Sequence, residues 1–305
     1  VVPVENTDSP DQRGATQAPE NILVLSSVTT GDYVRESGQD MRRGECVLNV
    51  GDYLRPQEIG VLAAVGRRCA QVVRRPRVAV LSTGDELVDL DGTLGPGQMR
   101  DSNSLTLASL VKRYGGVPTV LGIARDSAED VEKMLDMALE TGTDWILSSG
   151  GVSVGAFDCV KSVLQRYGEI DFWRVNMRPG KPVAFGNYKG TRFLGVPGNP
   201  VSAVASFEVF ARPALQKQCG RRKLSKPSVE VTVKERFLCD GRESYLRVLV
   251  VREEVGYVAY GVESQDSGIL TSLVRANALL VVPAGRKSVA VGDRLTAWML
   301  DWVQD

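Results

Sequence analysis

From Arg77 to Gln218 continuous apolar runs alternate with amphipathic stretches, and this rhythm restricts the chain more than any other feature of it. RVAVLS, VPTVLGI and DWILSS are apolar runs of strand length, and each opens into a polar loop. Asn103 to Tyr114 has helical periodicity and is ended by Gly115 and Gly116. Ser127 to Asp130 (SAED) has capping-box spacing ahead of VEKMLDMALE, which predicts a second helix. FDCVKSVLQRYG reads as a helix, IDFWRVNM as a strand, and PVAFGN and RFLGV as two more strands. PVSAVASFEVFARPALQKQ reads as a closing helix. Strands alternating with helices predict an α/β fold: three layers around a mostly parallel sheet covered on both faces.

The flanks read differently. Val1 to Glu5 (VVPVE) looks like the inside of a strand, 6–20 is a polar loop, and Ile22 to Val28 reads as a short strand. RRGECVLNVGDYLRP, from Arg42, alternates apolar and turn residues and predicts small β-structure. Pro56, Glu58 and Gly66 then delimit a short helix. Beyond Arg221 a basic connector, RRKLSKP, leads to short runs with no helix between them, which predicts a small barrel-like β domain. The expected modules are 1–40, 41–75, an α/β domain over 76–220 and a β domain over 221–305.

Composition limits the chemistry. The chain has no histidine, which removes histidine general bases, Ser–His–Asp and Cys–His catalysis and histidine metal sites. Lys plus Arg is 37 and Asp plus Glu is 37, so no basic excess supports nucleic-acid binding by the whole surface. No apolar run reaches the roughly 18 to 20 residues of a membrane span. The five cysteines, Cys46, Cys69, Cys159, Cys219 and Cys239, form no C-x-x-C pair; an odd set in a chain this long predicts a reducing compartment and buried, unpaired thiols. No signal peptide is visible, so the expected location is cytoplasmic. The opening without Met predicts that a segment upstream is missing.

Ligands of open α/β sheets bind beyond the carboxyl ends of the strands. The loops there are STGDE (Ser82–Glu86), Asp126, SSGGVSVGAFD (Ser148–Asp158) and RPGKP (Arg178–Pro182). In the third of these, Gly150 and Gly151 let backbone amides approach an anion, and Ser148, Ser149 and Ser153 add hydroxyls; the alternative is a tight turn with no ligand. Arg174, Arg178 and Lys181 supply cations for an oxyanion, or else form a solvated basic turn. Glu86, Asp126 and Asp158 supply oxygen ligands for a hard divalent cation, or else cap helices. Asn199 in PGNP either faces the pocket or fixes the chain path. Tyr245 and Arg247 share one strand face, and Arg247 either reaches an anion or decorates the surface. Trp145 and Trp173 read as core residues.

In order and spacing, VAVLSTGDEL, GQMRDSN, LGIARD, DWILSSGGVSVGAFD, WRVNMRPGKPVAFG and LGVPGNPVSAVASF resemble the molybdopterin molybdenumtransferase family, the MoeA proteins and the gephyrin E domain. ESYLR and RANALLVVP extend the resemblance into the last domain. It implies a reaction: molybdate is inserted at the dithiolene of adenylylated molybdopterin and AMP is released in a magnesium-dependent step. It implies catalytic roles for Asp158, Asp126, Glu86 and Lys181, with magnesium at Asp126 and Asp158. It implies substrate contacts from Pro182, Arg247 and Asp40 beside the glycine loop and the cationic turn. It also implies a homodimer, with molybdopterin adenylyltransferase and molybdoenzymes as candidate partners.

The chain departs from the family pattern at several points. Arg174 and Arg178 stand where relatives often have Lys, so proton transfer there is in doubt. Ala156 stands where relatives are often acidic, and Arg275 where some have a serine. The DGYA-type and TGAP-type motifs of the family's opening are absent, and residues 1–40 and 41–75 resemble remnants of its second and first domains. Two further readings compete with the insertase: a non-catalytic binding or scaffold protein on the same fold, and a molybdopterin adenylyltransferase. The retained acidic and cationic residues weigh against the first, and the appended β domain and PGNP weigh against the second.

Overall fold

A computed structural model describes residues 1–8, 20–151 and 159–301, with the backbone alone at 171–173. The chain divides into two compact units, Val1–Ala70 and Gln71–Asp305.

In the first unit the described residues form little regular structure. Val4–Asn6 is a 3-10 turn rather than a strand, and Ile22–Val28 is reduced to one antiparallel bridge between Thr7 and Val24. The segment from Arg42 is a series of turns. Strands persist when a neighbour pairs with them and a core buries one face; here Ile22, Leu23, Val24, Leu25 and Val28 are all exposed. The expected helix does form, as α1 (Pro56–Ala64). Pro56 occupies its first turn, and the Glu58 carboxylate accepts from the Arg55 amide at 2.8 Å.

The second unit begins with the α/β body. Its strands are β1 (Arg77–Thr83), the short pair β2 (Leu87–Val88) and β3 (Met99–Arg100), β4 (Val117–Ala124), β5 (Trp145–Ser149), β6 (Gly168–Arg174), β7 (Met177–Arg178), β8 (Pro182–Tyr188) and β9 (Thr191–Val196). Its helices are α2 (Asn103–Arg113), α3 (Ala128–Glu140), α4 (Cys159–Tyr167), α5 (Pro200–Ser206) and α6 (Arg212–Gln218). The main sheet runs β4-β1-β5-β9-β8-β6. The pairings of β1 with β4 and β5, and of β5 with β9, are parallel; β8 pairs antiparallel with β9 and β6. Period-two alternation along β1 produces the three layers. Val78 and Val80 pack with Leu107, Val111, Phe207 and Leu215 on one side, while Ala79 and Leu81 pack with Val131, Leu135, Val160 and Leu164 on the other. The Ser127 hydroxyl accepts from the Asp130 amide at 3.1 Å and so caps α3, as its spacing predicts. Trp145 is buried in the first layer, as expected.

The closing helix is continuous but not uniform. A π-helical turn, Phe207–Ala211, joins α5 to α6, and the Arg212 amide reaches back to the carbonyl of Phe207. Pro213 has no amide for the ordinary ladder and crowds the preceding turn, which accounts for the wider turn here.

The last domain has strands β10 (Ser228–Val233), β11 (Phe237–Leu238), β12 (Glu243–Glu253), β13 (Gly256–Gly261), β14 (Ala278–Val282), β15 (Ser288–Val289) and β16 (Arg294–Met299), with a short helix α7 (Thr271–Arg275). The order β13-β10-β16-β14-β12 closes through a β12–β13 pairing, giving a five-stranded barrel around Val231, Val248, Ala278, Leu280 and Ala297. β7 adds in parallel to β12, with Met177 opposite Glu243 and Arg178 opposite Ser244. This pairing joins the cationic turn of the α/β body to the barrel wall. Among the described residues no helix is long and apolar enough to cross a membrane. The cysteines differ from expectation: Cys46 and Cys69 are exposed, and Cys159, Cys219 and Cys239 are half-buried.

Candidate functional site

The glycine turn after β5 is built by close packing. Gly150 and Gly151 have φ of +87° and +63°. A Cβ on Gly150 would lie 2.5 Å from the Thr83 carbonyl oxygen, and one on Gly151 would lie 2.5 Å from Val160 Cγ2 and 2.8 Å from Thr83 Oγ1. Only glycine therefore fits both positions. Strand alternation separates the two serines before the turn. Ser149 faces α2, where the Asn103 side-chain amide donates to its hydroxyl at 2.7 Å and to the Gly198 carbonyl at 2.7 Å. Ser148 is fully buried, and among the described residues its hydroxyl has no partner, as is true of Thr83 Oγ1.

A cavity of about 610 Å³ lies over this turn, with Thr83, Glu86, Asp101, Asn103, Asp126, Ser149, Gly150, Gly151, Asn199 and Ser202 in its wall. Three carboxylates thus reach one hollow. Asp101 is buried and accepts from the Ser82 hydroxyl at 2.9 Å and the Ser104 amide at 3.1 Å, which fixes the start of α2. Asp126 does not cap α3; that role belongs to Ser127. Its carboxylate accepts from the Asp85 amide at 3.4 Å, and the Asp85 carboxylate accepts from the Asp126 amide at 3.2 Å, tying two loops together. Among the described residues no three carboxylates or thiols gather as a metal cage. Exposed oxygen donors of this kind suit magnesium, which keeps several waters and takes one or two carboxylates beside substrate phosphates. Asp158 and Ser153 lie outside the described residues, as do Ala156 and the side chain of Trp173.

A second cavity, about 680 Å³, adjoins the first through Pro182 and Ser202, which line both. Its wall carries Arg178, Lys181, Arg236, Arg242 and Arg247, with Asp266 as its carboxylate. Arg247 is 1% exposed. Its guanidinium donates to the Ser272 hydroxyl at 3.2 Å and to the carbonyls of Ser264 and Asp266 at 3.1 and 3.0 Å, which are neutral acceptors. Burial pushes the guanidinium down to about 10, with only partial relief from the Asp266 charge. A buried cation held by neutral acceptors beside an open cavity is a site that gains from an incoming anion. Asn199 bridges the two cavities: its amide donates to Ser267 Oγ at 3.0 Å, and the Val201 amide donates to the Ser267 carbonyl at 3.1 Å.

The structure brings Glu86, Asp126, Ser149, Gly150, Gly151 and Asn199 to one cavity, and Arg178, Lys181 and Arg247 to the other, with Pro182 in both walls. Arg174 is exposed opposite Pro182 in the β6–β8 pairing and lines neither cavity. Ser148 also lines neither. Asp40 is exposed within the first unit. Arg275 is ion-paired with Glu263. Sequence reasoning passed over Asp101, Asn103, Arg236 and Arg242. The DSN triplet at a helix start was a signal for the first two; the arginines are placed by long-range strand pairing, which no local pattern announces.

Residues 1–66 match the family described as the MoeA N-terminal region (domain I and II). Residues 79–217 match a probable molybdopterin binding domain, and 231–300 the MoeA C-terminal region (domain IV). A molybdopterin molybdenumtransferase of Haemophilus influenzae is 34% identical over 266 residues, covering 86% of this chain and 66% of that protein. Molybdopterin molybdenumtransferase 2 of Mycobacterium tuberculosis is 34% identical over 307 residues, covering 98% and 73%. Gephyrin of Dictyostelium discoideum is 35% identical, over 92% of this chain and 44% of its own. The crystal structure of a molybdopterin biosynthesis MoeA protein from Pyrococcus horikosii superimposes with a TM-score of 0.78 at 26% identity, covering 98% of this chain and 71% of that one. With these matches running through the N-terminal, molybdopterin-binding and C-terminal regions in one order, the chain belongs to the molybdopterin molybdenumtransferase family.

Proposed function

We propose that this protein inserts molybdate into adenylylated molybdopterin and releases AMP, completing the molybdenum cofactor. The observation that carries the reading is the pairing of two joined cavities, one walled by glycine amides, hydroxyls and carboxylates, the other by five cations, the buried Arg247 among them. The first suits a phosphoryl group and a polar heterocycle; the second suits a dianion. Insertion needs both ligands side by side, and Pro182 and Ser202 are the shared wall between them.

The residues divide the work. Gly150 and Gly151 admit the substrate backbone-close, and Asn103 holds Ser149 toward it. Lys181 and Arg247 hold the oxyanion, and Arg178 adds a guanidinium fork. Asp126 and Glu86, with Asp158, would hold magnesium, which supplies charge neutralisation beside the phosphoryl oxygens. The dithiolene sulfurs belong to the substrate, so no thiol or histidine of the chain is required. Arg247, even at about 10, stays protonated and moves no proton at neutral pH.

We further propose Ser153 and Asp40 as substrate contacts, a cytoplasmic homodimer, molybdopterin adenylyltransferase and molybdoenzymes as partners, and modules at 1–40, 41–75, 76–220 and 221–305. The test is AMP release. Adenylylated molybdopterin with magnesium should release AMP when molybdate is added, and Lys181→Ala should raise the half-maximal molybdate concentration about tenfold, the loss of one charged hydrogen bond. No molybdate-dependent release by the dimeric protein would return the chain to the scaffold reading.

A further inference from the structure

We infer that Asp240 is a positioning residue of the cationic cavity, acting through Arg178 and Arg242; the inference rests on the anion-binding reading above. Both arginines line the cavity and Asp240 does not. The carboxylate is first fixed by its own turn: Oδ1 accepts from the Arg242 amide at 3.1 Å, across Gly241 with a φ of +88°. Its other oxygen, Oδ2, accepts from Arg242 Nε at 3.0 Å and from Nη2 at 2.5 Å, and lies 3.7 Å from Arg178 Nη1. Arg242 Nη1 donates in turn to the Met177 carbonyl at 3.0 Å. Met177 and Arg178 form β7, which pairs with the start of β12 just beyond Arg242. One carboxylate oxygen therefore aligns two guanidiniums that the chain delivers from separate modules.

The arrangement gives a sign that separates positioning from simple charge. Two guanidiniums facing one hollow repel each other, and a shared carboxylate outside the hollow removes that repulsion while leaving their inner edges for a ligand. If Asp240 contributed only its charge, removing it would make the cavity more positive and tighten anion binding. If it orients the two forks, removing it weakens binding although the cavity gains positive charge.

The experiment titrates sodium molybdate into the wild-type chain and into Asp240→Asn, Asp240→Glu, Arg242→Ala, Asp240→Asn/Arg242→Ala and Arg247→Ala by calorimetry, with AMP titrated in parallel. We expect Asp240→Asn to raise the molybdate Kd about tenfold and leave the AMP Kd unchanged. In the Arg242→Ala background Asp240→Asn should weaken binding less than it does in wild type, because only the Arg178 contact is left to lose. Asp240→Glu keeps the charge but displaces the carboxylate from its turn, so its Kd should fall between wild type and Asp240→Asn. Equal or tighter molybdate binding by Asp240→Asn overturns the inference while leaving the cavity an anion site. Should that variant fail to fold, an Asp240→Glu affinity equal to wild type does the same. Molybdate binding that is absent in wild type, or indifferent to Arg247→Ala, overturns the underlying reading as well.

Discussion

Replacing Arg247 with methionine should leave the unliganded protein nearly as stable as before and abolish its response to molybdate. The guanidinium is 1% exposed, and burial lowers its pKa from 12.5 to about 10. That drop corresponds to roughly 3 kcal/mol of unfavourable charge burial, at about 1.4 kcal/mol per pKa step. Against this stand the acceptors that the substitution strands. Ser272 keeps a bond through its own donation to the Ile269 carbonyl at 2.6 Å, which leaves the carbonyls of Ser264 and Asp266. Two stranded carbonyls cost about 2 kcal/mol, less where cavity water reaches them. Methionine fills the space of the stem, so the net change should stay within about 1 to 2 kcal/mol, well short of the roughly 3 to 5 kcal/mol for breaking a buried ion pair. Urea unfolding measures the first part. Thermal unfolding with and without molybdate measures the second: at about a hundred times Kd, wild type should gain about 2.7 kcal/mol and the variant nothing. A loss above about 3 kcal/mol without ligand would mean that Arg247 is a structural keystone, and an unchanged molybdate shift would mean that the anion sits elsewhere.

Gly151→Ala should cost on the order of 2 kcal/mol, because a left-handed φ of +63° is joined by a Cβ 2.5 Å from Val160; Gly285→Ala, with φ +91° and nothing within 4 Å, should cost only about 1 kcal/mol. Unfolding midpoints of the two variants compare the contributions directly. Lys226→Met should destabilise by about 3 kcal/mol, since it leaves Glu208, 1% exposed, without the 2.6 Å ammonium partner while Arg212 remains at 3.4 Å; Glu208→Leu/Lys226→Met should recover part of the loss in the same measurement. The Arg242 guanidinium holds the Asp240 carboxyl at about 2, below the ordinary 3.8. Its folded pKa is depressed, so its contribution is complete above about 4 and is lost as pH falls toward 2; melting curves of wild type and Asp240→Asn should converge through that window and stay parallel from pH 5 to 8.

The α/β body was legible because its signals are local. β1, β4 and β5 announce themselves as apolar runs, and Ser127 announces α3 by the spacing of one cap. The first unit misleads for the same reason. ILVLSSV has strand composition, but strand formation depends on a pairing partner, and among the described residues only Val24 meets one. At the site, the sequence reading grouped Ser148 with Ser149 as loop hydroxyls, although neighbours on β5 face opposite layers and only Ser149 reaches the cavity. What a local pattern cannot supply is the meeting of β7 with β12, some sixty residues apart by the Met177–Glu243 pairing. That pairing decides that Arg178 and Arg242 share a wall.

A balanced overall charge coexists in this chain with a locally cationic cavity. Thirty-seven cations against thirty-seven anions leave no net field to draw a polyanion to the whole surface. Yet the anions are spent locally: Asp144 on Arg74, Asp136 on Lys189, Glu253 on Lys234 and Asp293 on Arg286. The cavity beside Pro182 is where the cations outnumber them, with five in its wall against Asp266. Arg247 adds to this, because the bonds of its Nε and Nη2 groups go to a hydroxyl and two carbonyls, which are neutral acceptors and leave its charge unneutralised. Low surrounding dielectric makes such a charge costly in the empty protein and strongly attractive to a small dianion. A hollow of about 680 Å³ has room for a small oxyanion but not for a large polyanion, so size as well as charge limits what this cavity can hold.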